Sequence, residues 1–446
     1  MKRRVYPEHT PTRLESLDGV PKHWSIRKLK HVASVQFSSV DKNTAEGEQP
    51  VRLCNYIDVY HNEYISPELE FMEATASPNE IEAFGLKKGD VLVTKDSESW
   101  DDIAVPAYVR SDLRGVICGY HLAQVHPDPE RVDGEYLFRA FRACAINHQF
   151  RIAATGITRY GLGKYWLDNA LFPVPPLKEQ RVIASFLDRE TAKIDALVAK
   201  KERLIELLQE KRAAVISQAV TKGLDPDVPM KDSGIEWLGK IPAHWEVKRL
   251  KYVTSMNRET LPEETNPDYE MRYVDIGNVN SVGQIVDTEE IRFETAPSRA
   301  RRKVQKGDTI ISTVRTYLKA IAYIEEQSGN LIVSTGFAVL SPAQEVLSKF
   351  LWRFVQSTQF VGAVVANSEG VGYPAITPSR LGCLLICIPP VKQQEIIADY
   401  LDRESAKIDA FIAKVREGIE KLKEYRTALI SAAVTGKIDV RGEISD

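Results

Sequence analysis

The chain has 446 residues, which exceeds the usual size of one domain and is enough for two or three domains with separate cores. Its 43% hydrophobic and 27% charged residues are typical of a soluble globular protein, and the longest apolar run, 381–391, is far shorter than a membrane span. The net charge of −3 excludes a uniformly basic surface, so binding to nucleic acid would require positive charge to be concentrated on one face. The chain lacks an apolar signal segment and any CxxC pair, which predicts a reduced, cytoplasmic protein.

The first half of the chain carries short motifs that return in the second half. Residues 21–24 read Pro-Lys-His-Trp, and residues 242–245 read Pro-Ala-His-Trp. A Lys-Gly-Asp turn precedes a predicted strand in both halves, at 91–94 and at 310–313, and a further strand is predicted at 384–388. Short strands mixed with helical segments predict two globular domains of mixed α/β class. The His-Trp pairs belong to the motifs that both halves share. We therefore expect them to pack inside the fold rather than to contact the bases of a nucleic acid.

Two long segments predict long helices. Each opens with a Pro-Pro pair, is rich in Ala, Leu, Glu, Lys and Arg, and ends near a glycine, Gly223 or Gly436. Apolar residues recur at spacings of three and four, which is typical of a coiled-coil seam. Neither helix could bury this stripe alone, so we expect the two to pack on each other as an antiparallel pair. The predicted seam residues are Ile183, Leu187, Ile194, Leu197, Leu204, Leu208 and Val215, and in the second helix Ile397, Leu401, Ile408, Phe411, Val415, Leu422 and Leu429.

The two helical segments are copies of one sequence. A shift of 214 residues aligns Pro175 with Pro389 and holds without a gap to Thr221 and Thr435, with 28 of 47 positions identical. The order domain, helix, domain, helix predicts a pseudo-twofold internal repeat and an elongated molecule with two heads. The predicted divisions are a first recognition domain at 1–175, a first spacer helix and linker at 176–228, a second recognition domain at 229–389, and a second spacer helix and tail at 390–446.

These motifs resemble the specificity subunit of type I restriction-modification systems over nearly the whole chain. The most specific marks are Pro-Pro-Leu-Lys-Glu-Gln at 175–180 and Pro-Pro-Val-Lys-Gln-Gln at 389–394, where Gln393 replaces Glu179. The resemblance implies two target-recognition domains, each reading half of an interrupted site in double-stranded DNA. It also implies that the helices act as a ruler and bind two DNA-methyltransferase subunits, and that ATP-dependent restriction and translocase subunits join the complex.

No motif for catalysis is found in this chain. A Walker A sequence and a Gly-x-Ser-x-Gly elbow are absent. Adenine methyltransferases carry Asn-Pro-Pro-aromatic, whereas the Pro-Pro pairs here follow Val174 and Ile388. We therefore predict a non-catalytic subunit with no catalytic residue, no metal site and no cofactor of its own. The resemblance places S-adenosylmethionine, ATP and Mg on the partner subunits.

Three loop regions are predicted to contact DNA because they mix residues that bond base edges, grip phosphates and stack. The first follows the Lys-Gly-Asp turns, the second is glycine-rich and lets the backbone approach a groove closely, and the third is a basic cluster suited to phosphates. The first region contains Lys95, Ser97, Ser99 and Trp100, and in the second half Thr313, Arg315, Thr316, Tyr317 and Lys319. The second contains Arg159, Tyr160 and Lys164, with Tyr373 in the other half, and the third contains Arg299, Arg301, Arg302, Lys303 and Lys306.

Charged residues that recur off the apolar seam are predicted to contact partner subunits. An ordinary solvated face of salt bridges would produce the same pattern, and the sequence leaves both interpretations open. The residues are Arg189, Glu190 and Lys193 in the first helix and Arg403, Glu404 and Lys407 in the second.

Two alternative functions remain open at this point. The helix repeat fits equally well a structural scaffold whose domains bind peptides, and DNA binding would separate the two hypotheses. A specificity chain from a related system, whose single partner polypeptide fuses methyltransferase and nuclease, would have much the same sequence.

Overall fold

The computed structural model describes residues 4–14, 16–327 and 329–443, and the chain divides into two compact units. Unit 1 comprises Met1–Lys201 and Glu417–Asp446, and unit 2 comprises Glu202–Arg416. Each unit therefore combines one globular α/β region with the first part of one long helix and the last part of the other. The predicted mixed α/β class and the two long helices are confirmed.

Unit 1 is built on a five-stranded sheet, a three-stranded sheet and three two-stranded ribbons. Its strands are β1 (His9–Pro11), β2 (Gly19–Pro21), β3 (Ser25–Lys28), β4 (Ala33–Phe37), β5 (Gln49–Cys54), β6 (Tyr64–Ile65), β7 (Met72–Ala76), β8 (Val91–Thr94), β9 (Asp96–Ser97), β10 (Pro106–Val109), β11 (Val116–Cys118), β12 (Leu122–Pro127), β13 (Tyr160–Gly161) and β14 (Leu171–Val174). The sheets run β4-β12-β8-β10-β6 and β11-β5-β7, and the ribbons are β1-β2, β13-β9 and β14-β3. Strand β8 is buried at all four residues, which explains its unbroken apolar sequence.

The short helices of unit 1 begin where the sequence supplies caps. Helix α2 follows Ser77, which forms a reciprocal capping box with Glu80, and α3 follows Asp133, whose carboxylate accepts two backbone N–H bonds. The helices are α1 (Tyr56–His61), α2 (Pro78–Phe84), α3 (Gly134–Phe141), α4 (Cys144–Ala153) and α5 (Lys164–Asn169), with a 3-10 turn at Leu29–His31.

Unit 2 repeats this plan with two four-stranded sheets and two ribbons. Its strands are β15 (Met230–Asp232), β16 (Lys240–Pro242), β17 (Glu246–Arg249), β18 (Thr254–Met256), β19 (Glu270–Val274), β20 (Glu289–Arg292), β21 (Ala300–Lys303), β22 (Thr309–Ser312), β23 (Ile321–Tyr323), β24 (Leu331–Ser334), β25 (Phe337–Pro342) and β26 (Leu385–Ile388). The sheets run β18-β25-β22-β23 and β20-β19-β24-β21, and the ribbons are β15-β16 and β17-β26. Its short helices are α7 (Leu250–Val253), α8 (Ser348–Val355), α9 (Thr358–Ala366) and α10 (Pro378–Cys383), with 3-10 turns at Ile276–Asn278, Phe293–Thr295 and Thr316–Leu318.

The Lys-Gly-Asp turns form as predicted and start the central strands. Gly89 and Gly307 take φ values of 99° and 92°, a conformation that favours glycine. The Asp90 carboxylate accepts the Lys87 backbone N–H at 3.0 Å, and Asp308 accepts that of Gln305 at 2.8 Å. The strands that follow are β8, with the predicted bounds, and β22, which begins and ends one residue before the predicted range. Strand β26 begins one residue later than predicted.

The two long helices are α6 (Leu177–Lys222) and α11 (Val391–Val434), and both start directly after a Pro-Pro pair. They run antiparallel within each unit. In unit 1, Arg426 of α11 bonds Asp195 of α6 at 2.8 Å. In unit 2, Arg212 of α6 lies 3.7 Å from Asp409 of α11, and the end of α6 shares a core with the start of α11.

The predicted seam is wrong at one repeated position. Leu197 is 43% exposed and its equivalent Phe411 is 48% exposed. The apolar contact passes instead through Val198, which packs on the unit 1 core, and through the buried Ile412. A step of four residues from Ile194 keeps the stripe facing its partner, whereas a step of three at that point turns it toward solvent.

Candidate nucleic-acid interface

The repeated sequence motifs contact each other inside each unit. In unit 1 the buried Glu179 carboxylate, at the start of α6, accepts bonds from the Trp24 indole at 3.1 Å and the His23 ring at 2.8 Å. In unit 2 the Gln393 amide oxygen accepts both equivalent bonds, from Trp245 and His244, at 2.9 Å. The His-Trp pairs thus pack on the helix starts, as expected, and these motifs join each α/β region to its helix.

The difference between Glu179 and Gln393 has a local cause. The Tyr6 hydroxyl also donates to Glu179, at 2.5 Å. Burial and this hydrogen bond raise the pKa of Tyr6, so the phenol stays a protonated donor. Three donors need the two oxygens of a carboxylate, whereas the two donors of unit 2 are satisfied by one amide oxygen.

We expect Glu179→Gln to lower the free energy of unfolding of unit 1 by about 1–2 kcal/mol, because it replaces charge-assisted bonds by neutral ones in a buried site. The matched change Gln393→Glu in unit 2 should be close to neutral, because both donors keep an oxygen acceptor. Denaturant titration of the two variants measures the difference, and equal losses would contradict the donor count.

The next residue of each helix, Gln180 or Gln394, makes the same three bonds in both units. The Gln180 amide donates to the carbonyl oxygens of Pro175 and Arg131 and accepts the Asp133 backbone N–H at 2.7 Å. Gln394 donates to Pro389 and Glu345 and accepts the Leu347 backbone N–H at 2.8 Å. The pairs that mark the helix starts, Glu179-Gln180 and Gln393-Gln394, thus have the same structural role in both copies.

Structure brings the first two predicted loop regions together in each unit. In unit 1, β9 pairs with β13, so that Ser97 lies opposite Tyr160, and the Leu162 N–H donates to the Lys95 carbonyl at 2.8 Å. In unit 2 the equivalent bond runs from the Ile376 N–H to the Thr313 carbonyl, also at 2.8 Å. One surface in each unit therefore contains both regions, and we call it the paired-loop surface: residues 95–100 with 155–164 in unit 1, and residues 313–319 with 369–375 in unit 2.

Exposed side chains on the paired-loop surface of unit 1 include cations and an aromatic ring. Trp100 is 51% exposed, and Arg159 and Lys164 are exposed. Arg159 lies 3.3 Å from the His121 ring, and Lys164 pairs with Asp168 at 2.7 Å. Tyr160 and Ser99 are half-buried.

Lys95 is held differently from the other cations. Its ammonium lies 4.3 Å from the centre of the Tyr120 ring and 4.9 Å from that of Phe37, and burial lowers its pKa. This lysine therefore anchors the loop against two aromatic rings.

In unit 2 the paired-loop surface presents Arg315, Tyr317, Lys319 and Tyr373, all exposed. The Arg315 guanidinium lies 4.8 Å from the centre of the Tyr373 ring. Arg315 and Lys319 flank the 3-10 turn Thr316–Leu318 with φ of 50° and 53°. Left-handed conformations at residues other than glycine are strained, and such strain tends to occur at functional sites.

Three predicted contact residues are buried: Ser97, Thr313 and Thr316. The Thr313 hydroxyl donates to the Gly336 carbonyl at 2.9 Å, and the Thr316 hydroxyl bonds that of Ser368 at 3.0 Å. The Ser97 hydroxyl accepts the Ser99 backbone N–H at 3.2 Å. These hydroxyls support the loops from inside, so direct contacts are to be sought among the exposed neighbours.

The predicted basic cluster does not form one patch, because most of it lies on strand β21 and its members are engaged with separate groups. Arg299 pairs with Asp275 and bonds the Tyr273 hydroxyl, while Lys303 lies 3.7 Å from Glu259. The remaining members are Arg301, whose guanidinium lies 4.4 Å from the centre of the Phe293 ring, Arg302, which is half-buried, and Lys306, exposed in the turn before β22.

Arg299 alone of this cluster lies at the paired-loop end of the sheet. Its carbonyl accepts the Thr335 N–H at 2.7 Å, and the neighbouring Gly336 carbonyl accepts the Thr313 N–H at 2.8 Å. Lys306 precedes β22 and residues 313–319 follow it, so Lys306 lies at the opposite end of that strand from the paired-loop surface.

Sequence reasoning missed three exposed aromatic residues beside the paired-loop surface of unit 1. Tyr120 is 50% exposed, and Tyr165 and Trp166 at the start of α5 are 67% and 51% exposed. Aromatic residues directly after a glycine-rich stretch were the available signal. They supply flat surfaces on which bases can stack.

The predicted partner face forms intrahelical ion pairs. Lys193 pairs with Glu190 at 2.8 Å and Lys407 with Glu404 at 2.7 Å, the same spacing in both copies. Arg189 contacts Glu190 and the Glu443 carbonyl, and Arg403 is exposed. These contacts agree with a solvated face and leave the partner hypothesis as a prediction.

Among residues 4–14, 16–327 and 329–443, no group of three or more His, Cys, Asp or Glu side chains is placed to hold a metal ion. No helix in the described part of the chain combines the length and apolar character needed to span a membrane.

Comparison with known proteins agrees with this architecture. The model of the type I restriction modification DNA specificity domain matches residues 21–207 and 242–421. The chain is 22% identical over 440 residues to a putative type I restriction enzyme MjaX specificity subunit of Methanocaldococcus jannaschii, with 95% of each chain covered. It is 25% identical over 206 residues to the EcoKI specificity subunit of Escherichia coli strain K12, which covers 45% of this chain and 44% of that one.

Solved structures share the fold. The HsdS subunit from Thermoanaerobacter tengcongensis matches with a TM-score of 0.51 and 18% identity over 94% of this chain and 98% of that one. A chain from a study of complex assembly and conformational transition in the type I R-M system matches with a TM-score of 0.66 and 16% identity, over 94% of this chain and 99% of that one.

A duplicated α/β fold, matched in both copies by a DNA specificity domain, defines a DNA-specificity protein with two related domains. Both copies match the same DNA specificity domain. The chain belongs to the family of type I restriction-modification DNA specificity subunits.

Proposed function

We propose that this chain reads an interrupted double-stranded DNA site, with one half-site bound at the paired-loop surface of each unit. The observation that carries the proposal is the repeated pairing of two distant chain segments into one surface in both units. The joining motifs are nearly the same in the two units, whereas the exposed side chains of the two surfaces differ. If the two half-sites differ in sequence, the two units need the same supporting fold but different exposed residues on their paired-loop surfaces.

The chain acts without catalysis of its own. Two DNA-methyltransferase subunits bind S-adenosylmethionine and transfer the methyl group, and restriction and translocase subunits use ATP and Mg. The specificity chain positions these partners on the site. Family membership favours this function over a peptide-binding scaffold, since the matched domain is one of DNA specificity.

The test is to map methylated positions across the genome with and without this gene, and then with Arg315, Tyr317 and Lys319 replaced by alanine. The wild-type map should show two short half-sites around an unread spacer, and the triple variant should lose sequence preference in one half alone. Loss of preference in both halves, or a map that does not depend on the gene, would reject the proposal. Methyl transfer or cleavage by the purified chain alone would reject its non-catalytic role.

Charge reversal on the repeated helix face tests the partner prediction. We expect Arg189→Glu with Arg403→Glu to weaken assembly with the methyltransferase at least tenfold, while thermal unfolding stays unchanged. The control is Lys423→Glu, at an exposed helix position that is Gln209 in the first copy. Calorimetric titration measures the affinity, and equal binding by both variants would show that this face is only solvated.

A further inference from the structure

Each paired-loop surface carries a short hairpin with the same closure. In unit 1, Thr155 and Gly161 exchange two backbone hydrogen bonds, of 3.1 and 2.8 Å. In unit 2, Glu369 and Ala375 exchange two, of 2.8 and 2.9 Å. The shift of 214 residues that aligns the helices also aligns these four residues, so the hairpins are equivalent parts of the repeat.

A glycine folds each hairpin tightly at the same position. Gly156 has φ of 153°, and a Cβ placed there would lie 2.0 Å from the Arg159 carbonyl oxygen. Gly370 has φ of 106°, and its Cβ would lie 3.2 Å from the Tyr373 carbonyl oxygen. The backbone therefore turns back on itself, and the residue after each glycine, Ile157 or Val371, lies at the tip.

These two tip residues are almost entirely exposed. Ile157 is 93% exposed and Val371 is fully exposed. A single exposed aliphatic residue is ordinary on a protein surface. Here two β-branched residues with stiff side chains hold the same position of a repeated hairpin and contribute no burial to either core. Arg159 in unit 1 and the Tyr373 ring with Arg315 in unit 2 lie beside them.

We infer that Ile157 and Val371 are specificity-determining residues, each of which contacts the C5 methyl group of a thymine in the major groove. The thymine methyl is the apolar group that base pairs display in that groove. The major groove is about 12 Å wide and admits a two-stranded β-ribbon, and a hairpin closed by one β-bridge is no broader than that. This inference rests on the proposed function, because it assumes that the paired-loop surfaces contact DNA.

The experiment uses the full chain in its complex with the methyltransferase and an oligonucleotide that contains the mapped site. Each thymine in the half-sites is replaced in turn by 2′-deoxyuridine, which lacks only the methyl group. Dissociation constants are measured for the wild type, Ile157→Ala, Val371→Ala and the control Val286→Ala, a 60% exposed valine of unit 2 outside the hairpin. Thermal unfolding checks that all variants fold.

One thymine in each half-site should lower wild-type affinity roughly fourfold when its methyl is removed, the effect of burying about one methyl group. Ile157→Ala should remove that sensitivity in one half and Val371→Ala in the other, whereas Val286→Ala should keep both. A half-site without thymine, or alanine variants that keep the full deoxyuridine effect, would overturn the inference while leaving the proposed function standing. A kink in the bound DNA with no deoxyuridine effect would indicate a minor-groove wedge and overturn it too. Wild-type protein without site preference would instead defeat the proposed function.

Discussion

Replacing both Arg315 and Lys319 by glycine is expected to lower the affinity of the complex for its DNA site about 100-fold while leaving unit 2 as stable as before. Each side chain is exposed on the paired-loop surface, and a contact to a base or phosphate contributes roughly 1–3 kcal/mol. Both residues have φ near 50°, where side chains other than glycine cost roughly 1–2 kcal/mol. Glycine removes that strain but loses more backbone freedom on folding, about 0.5–1 kcal/mol, and the variant also loses the contact of Arg315 with the Tyr373 ring, so the net change in stability is small.

Binding titrations and denaturant unfolding, made on the same preparation, separate the two outcomes. The control is Ala104→Gly, which relieves a left-handed residue with φ of 58° at a buried position of unit 1. It should change DNA affinity little. Retained affinity in the double variant would show that Arg315 and Lys319 do not contact DNA, and a large loss of stability would show that they support the fold.

Asp402→Asn is expected to destabilise unit 2 by about 3 kcal/mol or more. The Arg353 side chain is 4% exposed, and its NH2 group donates to Asp402 at 2.9 Å. It also donates to the neutral Gln356 at 3.4 Å and lies 3.9 Å from the centre of the Trp352 ring. Removing the carboxylate leaves a buried guanidinium without a hydrogen-bonded anion, and breaking a buried pair in this way typically costs 3–5 kcal/mol. Lys349 also loses its bond to Asp402, but it is half exposed and this loss is small.

Asp188→Asn in unit 1 provides the matched control. Arg139 occupies the equivalent position, is 1% exposed and bonds Asp188 at 2.9 Å. It also lies 3.3 Å from the Glu63 carboxylate, which stays in place in the variant. We therefore expect a smaller loss than in unit 2. Chemical unfolding with hydrogen exchange at α3 and α8 assigns the losses to the units, and equal losses would contradict the role given to Glu63.

The same ion pair predicts how stability depends on pH. Burial by itself would raise the pKa of the Asp402 carboxyl, but the bonds from Lys349 and Arg353 outweigh burial and lower it. A lowered pKa contributes stability above the unfolded value, near 3.9, and this contribution is lost as the pH falls through the folded value. The stability curves of wild type and Asp402→Asn should therefore stay apart at neutral pH and converge only in acid below that range.

The mixed α/β class and both long helices were predictable from sequence signals alone. An ungapped repeat, Pro-Pro starts and terminal glycines predict both long helices, because these signals act within a few residues. The Lys-Gly-Asp turns and the strands after them follow from the same kind of local rule. The joining motifs were visible as repeats, and their recurrence in the shared frame favoured packing over base reading before the contacts to Glu179 and Gln393 were seen.

Contacts between segments remote in sequence set which of the repeated or polar residues face solvent. Leu197 and Phe411 fit a spacing of three and four, but the partner helix selects the step of four, and it is remote in sequence. Thr313 and Thr316 resemble their neighbour Arg315 as polar loop residues, yet they are buried by Gly336 and Ser368, which the chain brings in from other segments. The paired-loop surfaces and their exposed tips arise from bonds between segments about 60 residues apart, and local pattern carries no information about such pairings.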